Sequence, residues 1–309
     1  MTKFTLDALG PFSLSASARF LEGFAPAAFP GNPGEPLELA FPVEGSWRSV
    51  GVRVRQRGGG VVGEVVSPGY VDPGLVDAVR SQVQRILSLD VDGSDFAAVG
   101  RRDEVVAGLQ SRYPGLRPVG FWSPYEAAAW AIIGQRIRIS QAAALKARMA
   151  EQLGEPVNFG DRVLHAFPPP ERLAKLDGFP GLFGRKLEWL RSVASAAIQG
   201  RLDATHLRAL PPEEALSELQ QLPGIGPFSA ELVLLRGAGY PDWIPQHEPR
   251  LGRALATAYH LPRPPRGEQL RRITDVWRPY RTWVTVLLRT QLEDETGEIA
   301  GEPRATGGP

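Results

Sequence analysis

Residues 219–255, LQQLPGIGPFSAELVLLRGAGYPDWIPQHEPRLGRAL, hold the side chains and turns best suited to chemistry. PEEALSELQQL and PFSAELVLLRG are amphipathic and are joined by Pro223-Gly224-Ile225-Gly226. Two glycines around an apolar residue permit a tight reversal with positive φ and let a foreign backbone come close. The next helix would start at Pro227, leaving its first amides, near Ser229, free to bind an anion. Ile225 would point inward and lock the two helices together. The same turn could equally close an ordinary helical hairpin. Some twenty residues later stands His247-Glu248-Pro249. A carboxylate here could stabilise a developing cation, or orient or deprotonate a water. His247 could donate to Glu248 or to a phosphate, or protonate a leaving group. Pro249 suits a first helical position. Asp242 reads as a loop acid or turn former.

The elements that must position these groups are legible from period and punctuation. The first seventy residues are β-rich: LELAFPVEG, RSVGVRVRQRG and GVVGEVVS cluster β-branched residues between Gly and Pro breaks, and the Gly58–Gly60 run suggests a hairpin turn. From Val71 the period becomes helical, with Asp72 as N-cap and Pro73 at the first helical position. Helical runs then follow one another across short Pro- or Gly-containing loops. The expected architecture is α+β: a β-rich N-terminal domain over 1–71, a helical domain over 72–290, and an acidic, disordered tail over 291–309.

Composition narrows the chemistry. Among 309 residues there is no Cys, which excludes disulfides, thiolate nucleophiles and cysteine-ligated metal clusters. The four His stand at 165, 206, 247 and 260 without metal-ligand spacing, so no metal site is expected. No apolar run is long enough to span a membrane, and the N-terminus lacks signal-peptide character, giving a cytoplasmic expectation. The net charge of +1 conceals a gradient. Residues 1–115 carry 11 basic and 13 acidic residues (−2), residues 116–290 carry 23 and 16 (+7), and the tail carries 1 and 5 (−4). A basic middle suits a polyanionic partner, although it could be an ordinary solvated surface.

LPGIGPFSAELVLLRG followed by PDWIPQHEPRLGRAL resembles the helix-hairpin-helix DNA glycosylases, and within them the 3-methyladenine DNA glycosylase II type. SPYEAAAWAIIGQRIRISQAA, FGRKLEWLRSVASAAIQGRLD and WRPYRTWVTVLLR extend the resemblance over about residues 118–290. It implies an all-α helix-hairpin-helix domain after the β-rich one. It also implies a monomer that binds double-stranded DNA, nucleoid-associated in a prokaryote, and needs no cofactor. A monovalent or divalent cation at the hairpin–phosphate contact is the one addition it allows.

The resemblance assigns roles residue by residue. Pro223, Gly224, Ile225, Gly226 and Ser229 would grip the DNA backbone, and Gln135 and Arg136 would wedge into the duplex where a nucleotide is flipped out. Phe228, Trp243, Trp122 and Tyr125 are candidates for the base pocket. His247 and Arg281 would be auxiliary, with Arg281 supporting a carboxylate or phosphate or making a plain surface or helix-cap pair. The acid would be Glu248, where the family carries Asp. One more methylene shifts its reach by about 1.5 Å, so a weakened or inactive damage-binding protein is the alternative to an alkylpurine glycosylase of base-excision repair. Glu is also a poorer N-cap than Asp, so the helix could start differently. Phe228 occupies the position of the Schiff-base Lys of lyase-competent relatives, and no Lys follows Lys186. An enzyme of this sequence would be monofunctional.

Overall fold

The computed structural model describes residues 2–22, 35–67 and 69–297. In chain order the strands are β1 (Thr2–Leu6), β2 (Leu37–Pro42), β3 (Ser49–Arg57), β4 (Gly60–Val66), β5 (Pro156–Asn158) and β6 (Val163–His165). The helices are α1 (Leu14–Glu22), α2 (Pro73–Ile86), α3 (Phe96–Arg102), α4 (Glu104–Arg112), α5 (Pro124–Ile133), α6 (Ile139–Leu153) and α7 (Pro170–Leu173). They continue with α8 (Lys186–Ile198), α9 (Ala204–Ala209), α10 (Pro212–Gln220), α11 (Pro227–Leu232), α12 (Pro249–Ala258), α13 (Gly267–Asp275) and α14 (Arg281–Thr296). A π-helical turn, Val233–Gly237, extends α11.

The four N-terminal strands form one antiparallel sheet in the order β1-β4-β3-β2. Gly58 and Gly59 make the two-residue turn between β3 and β4, with Arg57 paired to Gly60 and Gly58 at φ +57°. A side chain at Gly60 would meet the Leu6 carbonyl at 2.1 Å, so β1 can lie against this corner only because the residue is glycine. Leu37, Leu39, Phe41, Val50, Val52 and Val54 alternate onto one face, where they pack with Leu14 and Leu21 of α1 and with Leu75, Val79, Val83 and Ile86 of α2. Asp72 caps α2 by accepting from the Leu75 amide at 3.0 Å. The helix that begins just past residue 71 thus shares its apolar face with the sheet.

The segment read from sequence as wholly helical contains the β5–β6 hairpin, and this corrects the all-α expectation. Val157 and Phe159 lie over Gly51 of β3, where a Cβ would approach them to 2.5 and 2.6 Å. The hairpin's few residues are too short to show a period of two. Its apolar pair is explained only by the glycine-lined hollow it fills. α1 is likewise a helix inside the segment read as β-rich. Ser13 starts it, its hydroxyl accepting from the Ala16 amide at 3.2 Å. At the other end α14 continues to Thr296, six residues into the expected tail, while 298–309 lie outside the described residues.

The helices form two apolar groups. One comprises α5, α6, α8, α10 and α11, with Tyr125, Ile132, Leu190, Leu219, Ile225 and Val233 at its centre. The other comprises α3, α4, α12 and α14 around Trp277, with Leu109, Leu251, Trp283 and Leu287. A cleft opens between them. No helix among the described residues is long and apolar enough to cross a membrane.

Candidate DNA interface and active-site cleft

The hairpin turn is built by two glycines that do different work. Gly224 has φ +85°, and a Cβ there would lie 2.7 Å from the Trp189 ring, so both its conformation and its space require glycine. Gly226 is extended, with φ −89° and ψ −178°, and nothing lies within 4 Å of where its side chain would be. It presents open backbone to solvent. Between them Ile225 is buried, and its amide donates to the Leu222 carbonyl at 3.0 Å. Pro227 then begins α11, followed by Phe228, 43% exposed, and the buried Ser229.

A second turn is tied to the first. α5 ends at Ile133, and the chain turns through Gly134, Gln135 and Arg136 before α6. The Gln135 side chain donates to the Gly224 carbonyl at 2.7 Å, so it braces the two turns together. Lys186 donates from Nζ to the Ile133 carbonyl at 2.8 Å, and partial burial holds its pKa below the usual lysine value. Arg136 is exposed at the tip with φ +55°, a conformation costly for a residue with a Cβ.

Beside these turns lies the cleft, about 1250 Å³ in volume. Phe121, Trp130 and Phe228 line it, together with Phe20 and Arg19 of α1. Val286 and Arg289 of α14 and the start of α12 complete it. The π turn carries Arg236 into the lining. Its guanidinium donates to the Val119 carbonyl at 2.6 Å and stacks 5.1 Å from the Phe20 ring. Burial, with Arg289 nearby, pushes its pKa down to about 9.

Glu248 sits at the mouth of α12 and is that helix's N-cap, with Oε1 accepting from the Arg250 amide at 3.1 Å and Pro249 in the first turn. The longer acid therefore caps the helix as an Asp would. Its other oxygen, Oε2, pairs with the Arg289 guanidinium. Burial lowers the pKa of Arg289, and the neighbouring Glu248 carboxylate opposes that fall. A second carboxylate, Glu231 on α11, reaches the same loop. Its Oε1 accepts from the Gln246 amide at 2.8 Å and its Oε2 from the His247 amide at 3.0 Å; Oε1 also lies 3.2 Å from His247 Nδ1. Glu231, His247 and Glu248 all line the cleft.

No protein-family model matches this chain. Among curated proteins it is 26% identical over 216 residues to the DNA-3-methyladenine glycosylase of Bacillus subtilis, covering 69% of this chain and 71% of that one. It is 31% identical over 285 residues to the probable bifunctional transcriptional activator/DNA repair enzyme AlkA of Mycobacterium tuberculosis, covering 87% and 56%. To the DNA-3-methyladenine glycosylase 2 of Escherichia coli it is 32% identical over 186 residues, covering 57% and 60%. The chain thus spans little more than half the length of the last two. Among solved structures, the 3-methyladenine DNA-glycosylase from Archaeoglobus fulgidus superposes with a TM-score of 0.73 at 22% identity, covering 93% of this chain and 97% of that one. The curated relatives of this chain are thus DNA-3-methyladenine glycosylases and a DNA repair enzyme, and its fold is that of a solved 3-methyladenine DNA glycosylase.

With the family's hairpin as reference, the residues singled out from sequence fall into three groups. Pro223, Gly224, Gly226, Ser229, Gln135 and Arg136 lie on or beside the two turns, and Phe228, His247 and Glu248 line the cleft. Tyr125, Trp122 and Trp243 do not line the cleft, contrary to the pocket expectation. Tyr125 is fully buried, its hydroxyl donating to the Pro168 carbonyl at 2.9 Å, and Trp122 packs with the sheet core. Trp243 packs against the helical core. An aromatic at helical spacing reports burial without reporting against what. Arg281 supports a carboxylate, but that of Asp242, with Nε 2.8 Å from Oδ1. Sequence reasoning counted Trp130 only among the general supply of aromatics, and it missed Phe121 in the loop before α5 and Phe20, Arg289 and Glu231 on helices, where no local signal marks them. Among the described residues no group of three or more His, Asp or Glu is arranged to hold a metal.

Proposed function

We propose that this chain is a monofunctional DNA glycosylase of base-excision repair, which flips alkylated purines out of duplex DNA and hydrolyses their N-glycosidic bond. The observation that carries the reading is a carboxylate, Glu248, on the wall of a part-aromatic cleft that opens beside the hairpin turn and the Arg136 turn. A flipped base needs such a cleft, because the glycosidic bond is out of reach in the stack. The hairpin's open Gly226 supports close approach of a phosphate, and Arg136 at its exposed tip supports a wedge whose flat guanidinium can stack in the gap. Gln135 serves this reading as a brace between the turns. Phe228, Trp130 and Phe121 would hold the base.

Bond cleavage develops positive charge on the sugar, and a fixed carboxylate stabilises it. Glu248, anchored by its cap bond and by Arg289, is suited to that task. An alkylated purine is already cationic and leaves as a neutral base, so no strong acid is required. Phe228 at the hairpin offers no amine, which supports hydrolysis without strand cleavage. The same anchoring supports a second reading, a damage-binding protein without chemistry, since both oxygens of Glu248 are already engaged.

Release of 3-methyladenine or 7-methylguanine from methylated duplex DNA tests the two. Wild type should release base, and Glu248→Ala should lose about a hundredfold or more in rate. Duplex binding without release by wild type would overturn the enzyme reading. Unaltered release by Glu248→Ala would overturn the choice of acid.

A further inference from the structure

Glu231 is 4% exposed and has no place in the chemistry assigned above. Burying a carboxylate is costly unless its lone pairs are satisfied, and here they are met by two backbone amides and an imidazole. All three donors belong to the two residues immediately before Glu248. Because a carboxylate accepts only, the proton of neutral His247 is fixed on Nδ1, and the lone pair on Nε2 is left available. The His247 side chain is 53% exposed and lines the cleft that holds Glu248. A buried carboxylate holding one ring nitrogen while the other faces a reaction space is the arrangement of a general base with its orienting group.

Building on the proposed glycosylase reading, we propose that His247, positioned by Glu231, takes the proton from the attacking water, while Glu248 acts as the fixed counter-charge to the sugar. The balance of the reaction favours such a division. Water oxygen bonds to the anomeric carbon, the carbon–nitrogen bond breaks with its electron pair going to the cationic purine, and the base departs neutral. One water proton is left over, and His247 Nε2 accepts it. Glu248 is the poorer acceptor, because Arg289 and the Arg250 amide already hold its oxygens.

Glu231 of α11 contacts the imidazole, and the other charged groups lining the cleft with it are Arg236 of the π turn, Glu248, Arg250 and Arg253 at α12, Arg289, Glu293 and Asp294 of α14, Arg19 of α1 and Arg112 of α4. His247 is the only histidine in that lining.

The test is single-turnover release of 7-methylguanine from a methylated duplex between pH 5 and 9, with binding to an abasic-site duplex and thermal melting as controls. Wild-type rate should rise with pH as the imidazole loses its proton. His247→Asn keeps an N–H for Glu231 but has no base; it should be about a hundredfold slower and lose that limb, with binding and melting little changed. Glu231→Gln keeps a carbonyl acceptor for one of the two loop amides but no longer sets the tautomer, and should flatten the same limb. A His247→Asn protein within twofold of wild type, or one retaining the limb, overturns this proposal alone. A wild type that binds but releases no base overturns the glycosylase reading and this proposal with it.

Discussion

At residue 248 one side chain does two jobs, capping α12 and pairing with Arg289 of the adjoining α14. Glu248→Asp separates them. The shorter acid still caps the helix, but its carboxylate retreats by about 1.5 Å from Arg289. Misplacement by about 1 Å costs on the order of a hundredfold in rate. Single-turnover release should therefore fall about a hundredfold, while the melting temperature moves by no more than a few degrees. Phe228 permits a second prediction at this scale. It is exposed beside the hairpin and lines the cleft. Phe228→Ala should leave folding intact and weaken binding to lesion duplex by about tenfold, the order of one lost stacking contact; titration by fluorescence anisotropy measures it.

The hairpin is the element whose two glycines can be told apart. At Gly224 a methyl would enter the Trp189 ring and φ would remain at +85°. Gly224→Ala should therefore destabilise the fold by about 1–3 kcal/mol, seen in denaturant unfolding, and displace Gln135 from its carbonyl partner. At Gly226 a methyl meets nothing and the backbone is ordinary. Gly226→Ala should melt within about 2 °C of wild type yet bind duplex more weakly, if open backbone there is what meets the phosphate. Equal losses of stability from both variants would contradict this assignment. The π turn beyond α11 is the other instructive element. By inserting an extra residue it turns Arg236 towards α1 and keeps Gly237 against Pro124 of α5, with 2.8 Å to Cα from a notional Cβ.

Across the whole molecule the sheet and the helices are interlocked. Glu44, in the loop after β2, pairs with the buried Arg85 of α2 and accepts from the Ala204 amide at 3.1 Å at the start of α9. Arg85 also donates to the Trp122 carbonyl at 3.0 Å. Burial raises the Glu44 pKa, and Arg85 opposes that rise. Glu44→Ala would strand a buried guanidinium and should cost about 3–5 kcal/mol, lowering the melting temperature of the sheet and the helices together in a single transition. Two separate transitions would show that the halves fold independently. Interlocking also gives the N-terminal segment a function, since α1 from that segment forms one wall of the cleft.

Sequence alone determined what is local. The PGIG turn, the cap at Asp72, the helix start at Pro249, the Gly58–Gly59 hairpin and the order of the long helices follow from residue types a few positions apart, and those positions are fixed by bond geometry. It also set the inward Ile225 and the position of an acid at 248. Only the tertiary structure decided which aromatics face the cleft, that Arg289 rather than Arg281 answers Glu248, and that Glu231 holds His247. These groups lie tens of residues apart in the chain, or on helices whose period fixes a buried face without naming its neighbour. Packing α12 against α14 brings Arg289 to Glu248, and packing α11 against the loop before α12 brings Glu231 to His247.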